Sequence, residues 1–336
     1  MFSSLPKNLQ SYTIPKVGKL RKNYYFLQFE FMKCIPAFYI ILKGLKTGKI
    51  KKKTTVIESS SGNFAFGLAL ICFFLRLKLI IIGDSAIDYK LKNKLKNLGA
   101  KLILVGGKTH KNIQSERLKI LKKKMKIKKN FFWPKQYDNK DNIKSYWVLN
   151  NFLKKNLFFL KFDYVVSAVG SGGSSAGFFK IFKNFNPKAK LAGVDSINSV
   201  IFGNKSGIRL LRGPGSSIYP KNVKYNFFSK VFWVSDAEAY TSGINLFKKK
   251  KINSSPCLGA VHLVANHLSK KYPKKKIIAI FPENGERYIK TMYNSKWLKK
   301  NNLLLKKIYN PVQKKRTSEN IKKFSYINWN CRVKFK

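Results

Sequence analysis

Apolar and polar positions fall into alternating blocks along this chain. The aromatic run 24-YYFLQFEF-31 reads as a strand, and 36-PAFYIILKGLKTGKI-50 has helical spacing with proline near its start. A short strand, 54-TTVIE-58, leads into 58-ESSSGNFAFGLALICFF-74, where small polar residues precede a long apolar helix. Next come a buried strand, 78-KLIIIGD-84, a helix over 86–100 closed by Gly99, and a strand, 101-KLILVGG-107. A further helix and the loop 133-WPKQYDNKDN-142 precede 163-DYVVSAVGSGG-173, another helix and 190-KLAGVDS-196. The pattern ends with a strand at 230-KVFWVSD-236, a helix around 258–272 and a strand at 276-KIIAIFPENG-285.

Strand–helix alternation of this kind predicts an α/β fold, a mainly parallel sheet with helices on both faces. Two such runs, divided near residue 147, predict a smaller lobe over 24–146 and a larger lobe over 1–23 and 147–300. Residues 301–336 are rich in lysine and asparagine with little periodicity and read as a loose basic tail. There is no internal repeat.

The 336 residues carry 69 Lys+Arg against 14 Asp+Glu, a net charge of +55. The lysines are spread evenly and do not alternate with aromatics in any nucleic-acid module, so a compositional bias accounts for them better than specific nucleic-acid binding. Cys34, Cys72, Cys257 and Cys331 are scattered, as are His110, His262 and His267, which excludes a disulfide framework and a metal cluster and suits a reducing, cytoplasmic setting. The first residues lack the apolar core of a signal peptide, and the longest apolar run is broken by Arg76 and Lys78, so no membrane span is expected.

In parallel α/β sheets ligands sit at the carboxyl ends of strands. Three loops there are chemically loaded. Ser59, Ser60 and Ser61 with Gly62 and Asn63 form a donor-lined cup at a helix start, more than a simple cap needs. In 167-SAVGSGGSSAGFF-179 glycines let backbone amides approach an anion, and serines add hydroxyls. A dinucleotide fingerprint would require its third glycine where Ser175 stands. The third loop is 281-FPENGERYIKT-291.

Together and in this order the loops resemble those of the fold-type II pyridoxal-phosphate enzymes, the cysteine synthase and cystathionine β-synthase family. ESSSGN resembles its carboxylate loop, GSGGS its phosphate cup and FPENGERY its Leu-Pro-x-Ser-Gly-Glu-Arg-Tyr turn, over about residues 24–298. Within the family, 193-GVDSINSVIFGNK-205, 212-RGPGSS-217 and 285-GERYIKTMYNSKWLKK-300 are most similar to N-(2-amino-2-carboxyethyl)-L-glutamate synthases of 2,3-diaminopropionate biosynthesis. The resemblance implies a two-lobed, three-layer fold like the tryptophan synthase β chain, a homodimer and pyridoxal 5'-phosphate as cofactor. It also implies small amino-acid substrates: O-phospho-L-serine would lose phosphate, and L-glutamate would add in its place. Sulfide as acceptor, or a relic that keeps only the fold, are the other readings.

By motif match Lys33 would hold the cofactor and move the α-proton, and Asn63 would contact its 3'-oxygen. Ser60, Ser61 and Gly62 would take the substrate carboxylate, with Gln136 facing the substrate. Gly170, Ser171, Gly172, Gly173 and Ser174 would hold the cofactor phosphate, and Cys257 would face the pyridine nitrogen. The sequence departs from the family pattern around the lysine, where a Pro-Gly-Gly-Ser-Val segment is missing and Asp-Arg has become Cys34-Ile35. A thiol at Cys257 replaces the usual serine, Pro256 replaces a glycine, and 146-YWVLNNFL-153 stands where a Thr-Gly-x-Glu turn is common.

Overall fold

The computed structural model describes residues 2, 5–85, 87–106, 113–127, 130–317 and 321–329. Helix α1 (Lys7–Ser11) and strands β1 (Lys16–Arg21) and β2 (Tyr24–Gln28) are followed by α2 (Cys34–Lys46). The chain then builds β3 (Thr55–Ser59), α3 (Asn63–Phe74), β4 (Lys78–Asp84), α4 (Tyr89–Asn97), β5 (Lys101–Val105), α5 (Ile113–Ile127) and β6 (Phe131–Phe132). These four strands form a fully parallel sheet in the order β5-β4-β3-β6. Helix α3 is apolar on every side, which suits its place deep in the packing against α2.

Helices α6 (Asp141–Lys144) and α7 (Asn150–Leu157) lead to β7 (Tyr164–Ala168), α8 (Gly173–Phe185), β8 (Lys190–Ser196) and β9 (Phe228–Val234). The remaining elements are α9 (Asp236–Lys250), α10 (Pro256–Lys271), β10 (Ile277–Phe281), α11 (Ser295–Lys300), β11 (Val312–Gln313) and β12 (Ser325–Asn328). The second sheet runs β1-β2-β10-β7-β8-β9-β12-β11, parallel from β2 through β9. Alternate residues of its central strands enter different cores. Ile278 and Ile280 join Val165, Phe178 and Phe182, whereas Ile277 and Ala279 join Val166, Phe232 and Val261. Because successive strand side chains point to opposite faces, this sheet is covered on both sides, giving the three layers expected.

Two expectations are corrected. Residues 24–28 belong to the larger sheet, not the smaller lobe, because Tyr24–Gln28 pair in parallel with Ile277–Phe281 and Tyr24 and Leu27 are fully buried there. The segment after residue 300 is not a loose tail throughout. Ser325–Asn328 pair antiparallel with β9, and Phe324, Tyr326, Ile327 and Trp329 are buried, with the Tyr326 and Phe232 rings 5.3 Å apart. A few apolar anchors among many lysines supply this strand without an audible period. Helix α9 was also unforeseen, although the reciprocal capping box between Ser235 and Glu238 signals its start.

Candidate active site

Segments that follow the carboxyl ends of β2, β3, β4, β7 and β8 line one cavity of about 410 Å³. After β2 the backbone follows the end of β10: the Phe29 amide donates to the Phe281 carbonyl and the Met32 amide to the Pro282 carbonyl, both at 3.0 Å. Phe31 bridges Glu283. This short route, without the glycine-rich segment, delivers Lys33 to the cavity wall at the N-cap of α2.

Gly170 and Ser171 line the cavity where β7 turns into α8. A methyl group at Gly170 would run into the Gly213 carbonyl oxygen. At Gly172, with φ +84°, it would lie 2.5 Å from the Val223 nitrogen, and at Gly173 it would strike the Asn142 side chain. Glycine is therefore required by close backbone approach as well as by a left-handed turn. The loop opens a helix of 13 residues, whose first amides and dipole favour an anion. Gly172, Gly173 and Ser174 stand behind the lining, in or before the first turn of α8, and Ser174 hydrogen-bonds Tyr146. Asn142 Nδ2 donates to the Gln136 carbonyl at 2.6 Å and to Ser171 Oγ at 3.3 Å, and Asn222 Nδ2 donates to the same carbonyl at 3.2 Å. The cup and the Gln136 loop are thus one braced unit.

Ser60, Ser61, Gly62 and Gln136 also line the cavity. Beneath them Glu58 is fully buried and accepts three hydrogen bonds, from the Ser59 amide (2.8 Å), Trp133 Nε1 (3.0 Å) and the Gln136 amide (3.1 Å). Burial outweighs these donors and pushes its carboxyl up to about 7. Gln136 Nε2 donates to the Ser59 carbonyl at 2.7 Å, closing the ring of contacts around Glu58. Ser61 Oγ accepts from the Asp84 amide (2.8 Å) and from Arg117 (2.5 Å), and Arg117 pairs with Asp84 at 3.0 Å. Arg117 Nε is buried without a partner among the described residues.

Burial lowers the Lys33 pKa, partly offset by Cys257, Glu283 and Glu58. A depressed lysine is more often neutral, which suits an amine that must attack a carbonyl. Cys257 is buried in the first turn of α10 and does not line the cavity; burial, then Glu283, raises its thiol well above the ordinary value. Asn63, expected at the cofactor 3'-oxygen, is not among the residues that line the cavity. Its Nδ2 donates to Glu283 Oε2 at 2.6 Å and its Oδ1 accepts from Arg287. Glu283 also accepts from the Tyr288 hydroxyl at 2.8 Å, and Arg287 pairs with Asp88 at 2.5 Å. The glutamate in FPENGERY offers a buried charged acceptor, a stronger partner for the amide than a neutral group would be.

The sequence reading missed Asp84, Arg117, Tyr137, Arg209 and Arg212 on the cavity wall. A signal existed. Only eight of the 69 basic residues are arginines, and Arg117, Arg209, Arg212 and Arg287 lie in or beside this site. Among the described residues no group of three His, Cys, Asp or Glu is placed to hold a metal, and no helix is long and apolar enough to cross a membrane; His110 and Cys331 lie outside the described residues.

A cofactor with an aldehyde, a phosphate and a flat ring fits these residues: an amine at Lys33, a glycine-rich cup against the amino end of α8 and donors at 60–62 meet in one cavity. Comparison with known proteins agrees. A family model described as "Pyridoxal-phosphate dependent enzyme" matches residues 32–283. The chain is 29% identical over 268 residues to N-(2-amino-2-carboxyethyl)-L-glutamate synthase of Cupriavidus metallidurans, covering 78% of this chain and 79% of that protein. The crystal structure of O-acetylserine dependent cystathionine β-synthase from Helicobacter pylori is similar with a TM-score of 0.78 at 25% identity, covering 84% of this chain and 96% of that one. Cysteine synthase from Entamoeba histolytica shares the fold, with a TM-score of 0.78 at 23% identity over 90% of this chain and 97% of that one.

Proposed function

This chain belongs to the pyridoxal-phosphate dependent enzymes and is a β-replacement enzyme of the cysteine synthase type, and from that premise we propose that it replaces the phosphate of O-phospho-L-serine with the amine of L-glutamate. The product would be N-(2-amino-2-carboxyethyl)-L-glutamate. The observation that carries the choice of substrates is the charge of the cavity wall. Lys33, Arg117, Arg209 and Arg212 line it against Asp84 as the one carboxylate among the lining residues. Such a wall suits a donor bearing phosphate and carboxylate and an acceptor bearing two carboxylates. Sulfide, the acceptor in cysteine synthesis, needs neither the volume nor the guanidinium groups.

Pyridoxal phosphate, when bound, supplies an electron sink that stabilises negative charge at the substrate α-carbon. Its phosphate would lie in the cup at 170–174, and Lys33 Nζ would hold its aldehyde carbon in the resting enzyme. The residues at 60–62 would grip the donor's carboxylate, and Gln136, anchored to the Ser59 carbonyl, would keep that loop in place. Once displaced by the donor's amine, Lys33 Nζ would take the α-proton and later return it. Its low pKa favours the neutral form that can accept a proton. Assembly as a homodimer belongs to the same proposal, and a monomer's mass by light scattering would oppose it.

The test is to supply purified holoenzyme with O-phosphoserine plus either glutamate or sulfide and follow phosphate release and product mass. Glutamate is expected to support the faster turnover. Faster cysteine formation would assign the protein to cysteine synthesis instead, and no turnover with either would leave the relic.

A further inference from the structure

We propose that Arg209 and Arg212 form the recognition site for the distal carboxylate of a dicarboxylic amine acceptor. This deepens the acceptor reading above and rests on it. The loop 207–215 forms one wall of the cavity. Its backbone is pinned from below: the Asp236 carboxylate accepts the Leu210 amide at 2.8 Å and the Leu211 amide at 2.9 Å. Arg209 and Arg212 flank that anchored dipeptide, so both are carried by a rigid stretch. Arg209 Nη1 donates to the Asn198 carbonyl at 2.9 Å, which fixes one arm of its guanidinium, and Gly215 passes close beside that nitrogen.

The charge around the two is unbalanced. Arg212 lies 4.0 Å from Asp84 Oδ2, but that oxygen is already held by Arg117 at 3.0 Å. Asp195, beside Arg209, is fully buried, and burial pushes its carboxyl up to about 7, which weakens it as a counter-ion. Burial and then, after Asp195 opposes it, the like charge of Arg212 lower the Arg209 pKa. Asp84 is shared with Arg117, Asp195 is weakened, and Asp236, which also acts on Arg209, is engaged by the Leu210 and Leu211 amides, so the two half-buried guanidiniums facing the cavity can take an external anion. Their planar forks match a carboxylate or a phosphate.

Phosphate is the weaker candidate. The donor's phosphate shares this fork chemistry but leaves with the first half-reaction, whereas the acceptor's distal carboxylate stays in the product, and separate KM values for donor and acceptor tell the two apart. Composition supports a forked anion site. In a chain whose cations are overwhelmingly lysine, arginine at these two places indicates that fork geometry matters there.

The experiment compares the holoenzyme with its Arg212→Gln and Arg209→Lys variants, with KM measured separately for O-phosphoserine and for a panel of acceptors: aspartate, glutamate, 2-aminoadipate, glutamine and sulfide. The parent should prefer dicarboxylic amines. In Arg212→Gln the KM for the preferred dicarboxylic amine should rise at least tenfold while the KM for O-phosphoserine does not follow; Arg209→Lys, which keeps the charge, should show a smaller rise of the same kind. A parent that prefers aspartate or 2-aminoadipate would refute glutamate as substrate but sustain this site. Equal use of glutamine or sulfide by the parent, or donor and acceptor KM rising together in the variants, would overturn it.

Discussion

Replacing Glu58 by glutamine should change how stability depends on pH. In the folded protein burial holds this carboxyl at about 7, against an ordinary 4.5. Between those values the folded chain keeps a proton that the unfolded chain has released. Stability therefore falls as pH rises through this window, and the whole loss is present above about 7. At about 1.4 kcal/mol per pH unit, the gap corresponds to about 3 kcal/mol. Glu58→Gln removes the titration. It also turns one acceptor into a donor against the Ser59, Trp133 or Gln136 N–H groups, a constant cost of about 1–3 kcal/mol at every pH. The assay is urea unfolding of parent and variant at several pH values from about 4.5 to 8. Only the difference between the two curves is diagnostic, since Asp195 is also raised to about 7, while burial lowers His262 to about 4 and so makes stability rise with pH. The variant should be less stable than the parent at the acid end and equal to it or more stable by pH 8, because the parent's loss of about 3 kcal/mol matches or exceeds the constant cost. A deficit that stays constant with pH, or widens as pH rises, would refute the account of Glu58 as a buried, proton-holding carboxyl under the 59–61 loop.

Other outcomes follow from the same geometry. Lys33→Ala should abolish the visible absorbance of protein-bound pyridoxal phosphate, and borohydride reduction of the parent should label a peptide containing Lys33; label on another lysine would displace it from the proposed role. Gly170→Ala would push a methyl group against the Gly213 carbonyl, so cofactor affinity measured by dialysis titration should fall at least tenfold. Arg287→Met leaves Glu283 and Asp88 without their shared cation, and because Arg287 and Glu283 are nearly enclosed the loss should be about 3 kcal/mol in urea unfolding.

Most of the strands and helices up to residue 285, the loops that close the site and the motif residues in them were legible in the linear pattern. Each depends on neighbours a few positions away: apolar period, glycine where backbones meet, serine at a helix start. The cavity drew seven of the twelve expected residues to its wall: Lys33, Ser60, Ser61, Gly62, Gln136, Gly170 and Ser171. Contacts between distant segments decided the rest. Tyr24–Gln28 looked like the start of the smaller lobe until β10, some 250 residues later, claimed it as a partner. Ser325–Asn328 became a strand because β9 offered an edge and an aromatic surface. The Asn63 amide turned to Glu283 and Arg287, over 200 positions away, and the arginines at 117, 209 and 212 converged only when both sheets were in place. Local propensity is written in the order of residues, whereas the strength of a buried hydrogen bond or a shared electrostatic field depends on distance in space, which folding alone sets.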